Sequence, residues 1–139
     1  MPDPMTLEAL QALIDGSPFL RFLGLRVVSA DAAAATVVLT AALRPELERR
    51  GESRQWHGGA LAALIDSAGD YAIALGLGAA VPTINFRVDY LRPAMSAVLT
   101  ATARVRRAGR TVAVVDIDVS DAEDRLVAVG RGCYSAQPG

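Results

Sequence analysis

Residues 57–76 carry the longest apolar pattern in the chain, and this segment constrains the fold more than any other. Its apolar side chains recur at spacings of three and four, which predicts an α-helix: Leu61, Leu64, Ile65, Ala68, Ala72 and Leu75. The segment is rich in alanine and apolar on most sides, so the helix must be largely buried. Glycines at 58 and 59 open it, and Gly76 and Gly78 close it. The rest of the chain must therefore cover this helix.

Four segments after this helix alternate apolar and polar residues with a period of two. They are residues 83–91, 98–106, 111–119 and 125–134. This alternation is typical of antiparallel strands with one polar face. Short turns at 107–110 and 121–124 join the last three strands as hairpins.

The segments before the central helix are shorter. The predicted elements are a helix over residues 6–15 capped by Thr6, two strand-like arms at 25–29 and 33–40, and an irregular loop with one helical turn at 41–56. The turn at 16–18 ends the first helix, and Phe19, Leu20 and Phe22 follow it as a small apolar group.

These elements predict an α+β fold in which one antiparallel sheet curls around a central helix. The length of 139 residues suits a single domain over 1–139, with 1–18 as an N-terminal helix and turn. A sheet of this kind has open edges, and one helix cannot cover both the sheet and its edges. Pairing with a second copy of the chain is therefore expected.

Composition excludes several classes of function. The single cysteine, Cys133, excludes an intramolecular disulfide framework, and the single histidine, His57, excludes a multi-histidine metal site within one chain. The net charge of −1 gives no general attraction to nucleic acid or to acidic membranes. All 14 basic residues are arginine, so lysine Schiff-base chemistry is excluded too. The use of arginine without lysine is itself explained by genomic base composition.

No targeting or membrane segment is expected. The first 15 residues lack a basic region and a long apolar run, and the apolar run 60–81 is interrupted by Asp66 and Asp70. The expected location is the cytoplasm.

The candidate chemistry lies at residues 55–70. Two glycines at a helix start allow close approach of a ligand, and the free N–H groups there would stabilise an oxyanion. Asp66 is costly to bury unpaired in an apolar helix, and Asp70 lies one turn further on. Because nine residues separate His57 from Asp66, the two lie on roughly opposite sides of the helix. In a symmetric dimer, His57 of one chain could face Asp66 of the other.

Ordinary structural roles account for the same residues. His57 could simply cap the helix, and Asp66 could be solvated or bonded to a neighbouring hydroxyl such as Ser67. The glycine pair could serve only the turn. The arginines at 92, 107 and 110 could hold phosphates or form a solvated face.

The motifs resemble those of the hotdog-fold acyl-CoA thioesterases of the PaaI type (phenylacetic acid degradation, 4-hydroxybenzoyl-CoA thioesterase-like). The resemblance covers about residues 25–134 and rests on His57-Gly58-Gly59, on Asp66 nine positions after the histidine, and on a strand that ends in Leu-Arg-Pro-Ala at 91–94. It implies a hotdog fold, with the sheet wrapped around the helix and a homodimer, or a homotetramer built as a dimer of dimers. It also implies hydrolysis of an acyl-CoA thioester, with coenzyme A as part of the substrate and no metal or other cofactor.

The resemblance implies a role for each matching residue. Asp66 is the general base or nucleophile, Gly58 offers its N–H to the thioester carbonyl, His57 supports that region, and Thr83 positions the attacking water across the subunit interface. The hairpin residues Arg107, Gly109, Arg110 and Thr111 match the region that holds the pantetheine and phosphates of CoA. Further candidates for substrate contact are Gly59, Gln55 and Arg92.

The sequence departs from the family at one place. Many members carry an amide six residues before the histidine, where this chain has Gly51, so Gln55 is the nearest amide that could replace it. The acyl group is expected beside Leu61, Ile65 and Tyr71, which favours a medium-chain or aryl group. The alternatives are an acyl-CoA binding or sensing module without hydrolysis, a hydratase or dehydratase on the same fold, and a purely structural dimerisation domain.

Overall fold

A computed structural model describes residues 3–139. The helices are α1 (Leu7–Asp15), α2 (Pro18–Leu23) and α3 (Gly58–Leu77), and a single 3-10 turn spans Pro45–Leu47. The strands are β1 (Arg26–Asp31), β2 (Thr36–Ala42), β3 (Thr83–Tyr90), β4 (Val98–Ala108), β5 (Val112–Ser120) and β6 (Leu126–Ser135). The central helix, the four strands after it and the helical turn in the loop are confirmed.

All six strands form one antiparallel sheet in the order β1-β2-β4-β5-β6-β3. Helix α3 packs against one face of the sheet. The fully buried side chains of β2, β4 and β5 contribute to the core on that face, and they include Val37, Leu39, Leu99, Ala101, Ala103, Val115 and Ile117. This is the predicted α+β hotdog arrangement.

Helix α3 has the length and hydropathy of a membrane span. The sheet explains its apolar character instead, because ten of its residues, from Leu61 to Leu75, are buried. Gly78 ends the helix in the left-handed region, with φ of 86°. Gly69 is required by close packing, since a Cβ there would overlap the buried ring of Tyr134.

Helix α2 differs from the sequence prediction, in which residues 19–22 are only a small apolar group. Ser17 caps this helix, Pro18 starts it, and Gly24 ends it in the left-handed region with φ of 69°. Six residues are too few to show a helical period, so only the capping residues could have revealed it.

Strand β3 is an edge of the sheet and carries exposed apolar side chains. Those of Ile84 and Tyr90 are 57% and 53% exposed, and Phe86 is 38% exposed. An irregularity lies at the start of the strand, where Thr83 pairs with Tyr134 but Asn85 pairs with Cys133, so β3 has one extra residue there. This bulge matters for the site because it changes the face on which Thr83 lies.

Candidate active site

The N-terminus of α3 is built by its own histidine and two glycines. Nδ1 of His57 accepts a 2.8 Å hydrogen bond from Gly59 N–H. Accepting at Nδ1 assigns the neutral tautomer with hydrogen on Nε2. His57 is therefore the N-cap of the helix. A Cβ on Gly59 would lie 3.0 Å from Nδ1, which explains why glycine occupies this position.

Tyr90 fixes Gly58 from the other side. Its hydroxyl donates a 2.6 Å hydrogen bond to Gly58 O, and its ring would lie 3.3 Å from a Cβ at position 58. Within residues 3–139, no acceptor atom engages Gly58 N–H. This free donor at the positive end of the helix dipole is suited to bind a carbonyl oxygen or an oxyanion.

A cavity of about 540 Å³ opens beside Gly58. Of the predicted substrate contacts it is lined by Gly59, Gln55, Leu61 and Arg92. Arg49 and Tyr90 are among the lining residues that the sequence did not single out. The arginines give this cavity a positive charge. Gln55 lines the cavity, whereas Gly51 lies in an exposed turn, where a Cβ would have no other atom within 4 Å.

Asp66 and Thr83 form the second part of the candidate site. The Thr83 hydroxyl donates a 2.7 Å hydrogen bond to Oδ1 of Asp66. The Tyr134 hydroxyl donates a 3.1 Å bond to the backbone oxygen of Asp66, and burial holds the pKa of that phenol well above its usual range. Asp66 is thus held at two points: Thr83 binds one oxygen of its side chain, and Tyr134 binds its backbone oxygen.

Asp70 lies one turn after Asp66 on α3 and also binds the segment that leads into β3. Its Oδ1 accepts a 2.8 Å hydrogen bond from Val81 N–H. Burial raises the pKa of the Asp70 carboxyl from 3.8 to about 6; the hydrogen bond from Val81 lowers the pKa and the nearby charge of Asp66 raises it. The sequence places these two carboxylates one turn apart but offers no partner for Asp70.

The two parts of the site lie apart within one chain. Gly58 contacts Tyr90, the last residue of β3, and Asp66 contacts Thr83, the first. Eight residues of helix separate Gly58 from Asp66, which is about 12 Å along the axis. A carbonyl held at Gly58 is therefore out of reach of Asp66 of the same chain, because reacting atoms must approach to about 3–3.5 Å.

The remaining predicted residues lie elsewhere. Ile65 is fully buried, and its side chain packs where a Cβ on Gly130 would stand; Tyr71 is only 6% exposed. The structure thus brings neither residue into the cavity beside Gly58. Arg107, Arg110 and Thr111 are exposed on the β4–β5 hairpin, and Gly109 there lines a small apolar cavity with Leu77 at the C-terminal end of α3. In residues 3–139, no group of three or more His, Cys, Asp or Glu side chains could hold a metal ion.

The helix wrapped by the sheet, the free N–H of Gly58 at its start and the Asp66 carboxylate held by Thr83 define a class of protein, the hotdog thioesterases. The chain belongs to the thioesterase superfamily, whose family model matches residues 55–128. It is a thioester hydrolase of the PaaI type.

Two relatives from Escherichia coli are similar in sequence. The acyl-coenzyme A thioesterase PaaI is 32% identical, over 87% of this chain and 84% of the relative. The medium/long-chain acyl-CoA thioesterase YigI is 40% identical over 52 residues, which is 37% of this chain and 34% of the relative. The solved structure of E. coli PaaI superposes with a TM-score of 0.82 and 28% identity, covering 95% of this chain and 93% of that one.

Proposed function

We propose that this protein hydrolyses the thioester of a medium-chain or aryl acyl-CoA to the free acid and CoA. The observation that carries the proposal is the pair of groups on α3: a free N–H at Gly58 and a carboxylate at Asp66 held by Thr83. The names of PaaI and YigI support acyl-CoA as the substrate. Leu61, beside Gly58 in the same cavity, offers apolar surface to the acyl group.

The start of α3 polarises the substrate. Gly58 N–H donates to the thioester carbonyl oxygen, and the helix dipole stabilises the negative charge that develops there. The side-chain amide of Gln55 supplies a second donor in place of the amide missing at Gly51. His57, the N-cap of α3 with hydrogen on Nε2, is the proposed donor for the leaving sulfur.

Asp66 supplies the other half of the reaction. As general base it takes a proton from water as the oxygen attacks the carbonyl carbon; as nucleophile it forms a mixed anhydride that water then cleaves. In both routes the C–S bond breaks, the CoA thiolate takes up a proton, and the carboxylic acid is released. Thr83 orients Asp66 and the water. ¹⁸O found in the Asp66 carboxylate after repeated turnover in H₂¹⁸O identifies the anhydride route, with water attacking the Asp66 carbonyl carbon.

The complete site requires two chains. Strand β3 is an edge with exposed apolar side chains, so two copies can pair along it antiparallel about a two-fold axis. Such pairing sets the Tyr90 end of one β3 beside the Thr83 end of the other. Asp66 of one protomer then meets Gly58 of its partner, and the hairpin carrying Arg107 and Arg110 approaches the partner's cavity.

The arginines suit the phosphates of CoA. A guanidinium binds a phosphate through two parallel hydrogen bonds, and Arg92, Arg107 and Arg110 are all exposed. Gly109 and Thr111 shape the hairpin between them, and Gly59 keeps the helix start open to the pantetheine. The reaction needs no metal and no cofactor beyond the CoA of the substrate.

The test is thiol release from a panel of short, medium, long, phenylacetyl and hydroxybenzoyl CoA thioesters. Asp66→Asn should lower kcat by at least about a hundredfold, the low end for an acid–base group. Glu8→Gln removes the same charge from exposed α1 and should leave kcat unchanged. If the wild type turns over none of the panel but is stabilised by these thioesters, the protein is an acyl-CoA binding module.

A further inference from the structure

The backbone before Thr83 is held by a carboxylate that the proposed mechanism does not use. Asp70 accepts the Val81 N–H at 2.8 Å, and Ser135 N–H donates a 2.9 Å bond to Pro82 O. The connection from α3 to β3 is therefore tied to α3 on one side and to β6 on the other. Asp70 is the only one of these anchors that comes from the helix that carries Asp66.

Pro82 links the backbone anchor at Val81 directly to Thr83. Proline has no N–H and its ring fixes φ, so the Val81 amide is the last backbone donor before Thr83. The bulge then starts at Thr83 and places it on the inner face, opposite Tyr134. A shift of Val81 would pass through the stiff proline to the Thr83 hydroxyl and so to Asp66.

Asp70 is a costly residue for a merely structural anchor. It is partly buried, and no arginine in residues 3–139 forms an ion pair with it. The groups that face it are Val81 N–H, Asp66 and Tyr71 on α3, and Tyr134 on β6. Its raised pKa records the cost of burial. An asparagine would offer the same acceptor oxygen without a charge, but a charged acceptor makes the stronger hydrogen bond.

We propose that Asp70 is a positioning residue, whose carboxylate anchors Val81 and thereby holds Thr83 in contact with Asp66 of the same chain. This inference rests on the proposed thioesterase function. Asp70 acts through Thr83 and does not touch the substrate. The two carboxylates one turn apart on α3 thus grip the start of β3 together, Asp70 through the backbone and Asp66 through a side chain.

A double-mutant cycle tests this path with the panel substrate that the wild type hydrolyses best. Asp70→Ala should lower kcat about tenfold, the size of one charge-assisted hydrogen bond, with KM changed by less than about twofold. In a Thr83→Val background, Asp70→Ala should lower kcat no further, because the contact it serves is already gone. Asp70→Asn, which keeps the acceptor, should restore kcat to within about threefold of wild type.

Two results would overturn the inference: unchanged kcat in Asp70→Ala, or an equal loss of kcat with and without the Thr83 hydroxyl. If Asp70→Ala does not fold, Asp70→Ser replaces it, since a serine hydroxyl stops one atom short of Val81. A loss in Asp70→Asn as large as that in Asp66→Asn would also overturn it, because the charge and not the anchor would then act. An inactive wild type, by contrast, would contradict the proposed function itself.

Discussion

The Thr83 hydroxyl donates a 2.7 Å hydrogen bond to Oδ1 of Asp66, although the two residues lie 17 positions apart on different elements. Thr83→Val keeps the shape of the side chain and removes this donor. We expect kcat to fall about tenfold because one charge-assisted hydrogen bond to Asp66 is lost. Thr83→Ser keeps the hydroxyl and should stay within about threefold of wild type. A loss in Thr83→Ser with unchanged kcat in Thr83→Val would show that packing of the methyl group matters and the hydrogen bond does not.

Gly58→Pro tests the backbone donor at the start of α3. Proline lacks the N–H, yet it is favoured at the first position of a helix, so the helix should form normally. We expect kcat/KM to fall about a hundredfold, the lower end for removal of one oxyanion donor. Gly58→Ala is the matched control, since it adds a Cβ 3.3 Å from the Tyr90 ring but keeps the N–H. If Gly58→Ala loses as much activity as Gly58→Pro, contact with Tyr90 and not the amide explains the loss.

Mixed oligomers test whether the site is shared between chains. Asp66→Asn and Gly58→Pro are each expected to be inactive alone. Refolded together in equal amounts, half of the dimers would be mixed, and each mixed dimer would hold one intact site. The mixture should therefore recover about a quarter of wild-type activity. A mixture as inactive as its components would place Gly58 and Asp66 of one chain in the same site.

The sequence was sufficient for most of the fold. The four strands after α3 were predicted from alternation. Strands β4, β5 and β6 each have one face on the core and one towards solvent, whereas the apolar face of β3 is largely exposed. The same rule fails at Thr83: strict alternation groups it with Asn85 and Arg87 on the outer face, and the bulge moves it inward. Such a bulge leaves no mark in the period of a short strand.

The site was predicted unevenly for a related reason. Asp66 and the glycines stand out because they violate the pattern of an apolar helix. Ile65 and Tyr71 fit that pattern, so the sequence could not separate side chains that are buried in the core from those that line a cavity. Val81 contributes only its backbone N–H to Asp70, and a backbone contact cannot be read from residue identity.

Gly69→Ala should destabilise the protein strongly. Its Cβ would overlap the Tyr134 ring, which is fully buried and holds Asp66 O by its hydroxyl. Overpacking of this kind costs about 1–3 kcal/mol, so thermal unfolding should shift down by several degrees. Gly76→Ala is the matched control in the same helix, because no atom lies within 4 Å of its Cβ. That variant should be as stable as wild type or slightly more so, since alanine favours the helix.

Asp70 should make stability depend on pH between about 4 and 6. Its pKa is raised to about 6 in the folded protein from 3.8. The folded state therefore binds more protons in this range, so this carboxyl's contribution to stability is present below pH 4 and is lost as pH rises to 6. The shift corresponds to roughly 3 kcal/mol at neutral pH. Asp70→Asn should unfold at a higher urea concentration than wild type at pH 8 and at a similar one near pH 4.

Asp116→Asn is the opposite control for that measurement. A hydrogen bond from Arg131 lowers the pKa of the Asp116 carboxyl, and the guanidinium lies 2.6 Å and 2.9 Å from its two oxygens. The ionised Asp116 carboxylate stabilises the folded protein at pH values above its pKa in the unfolded chain, and this stabilisation is lost as pH falls. Asp116→Asn should therefore lower stability at pH 8. Both variants are compared with wild type at one protein concentration, because the proposed dimerisation would add to apparent stability. If Asp70→Asn also lowers stability at pH 8, the charge on Asp70 stabilises the fold, and burial is not the dominant effect on this carboxylate.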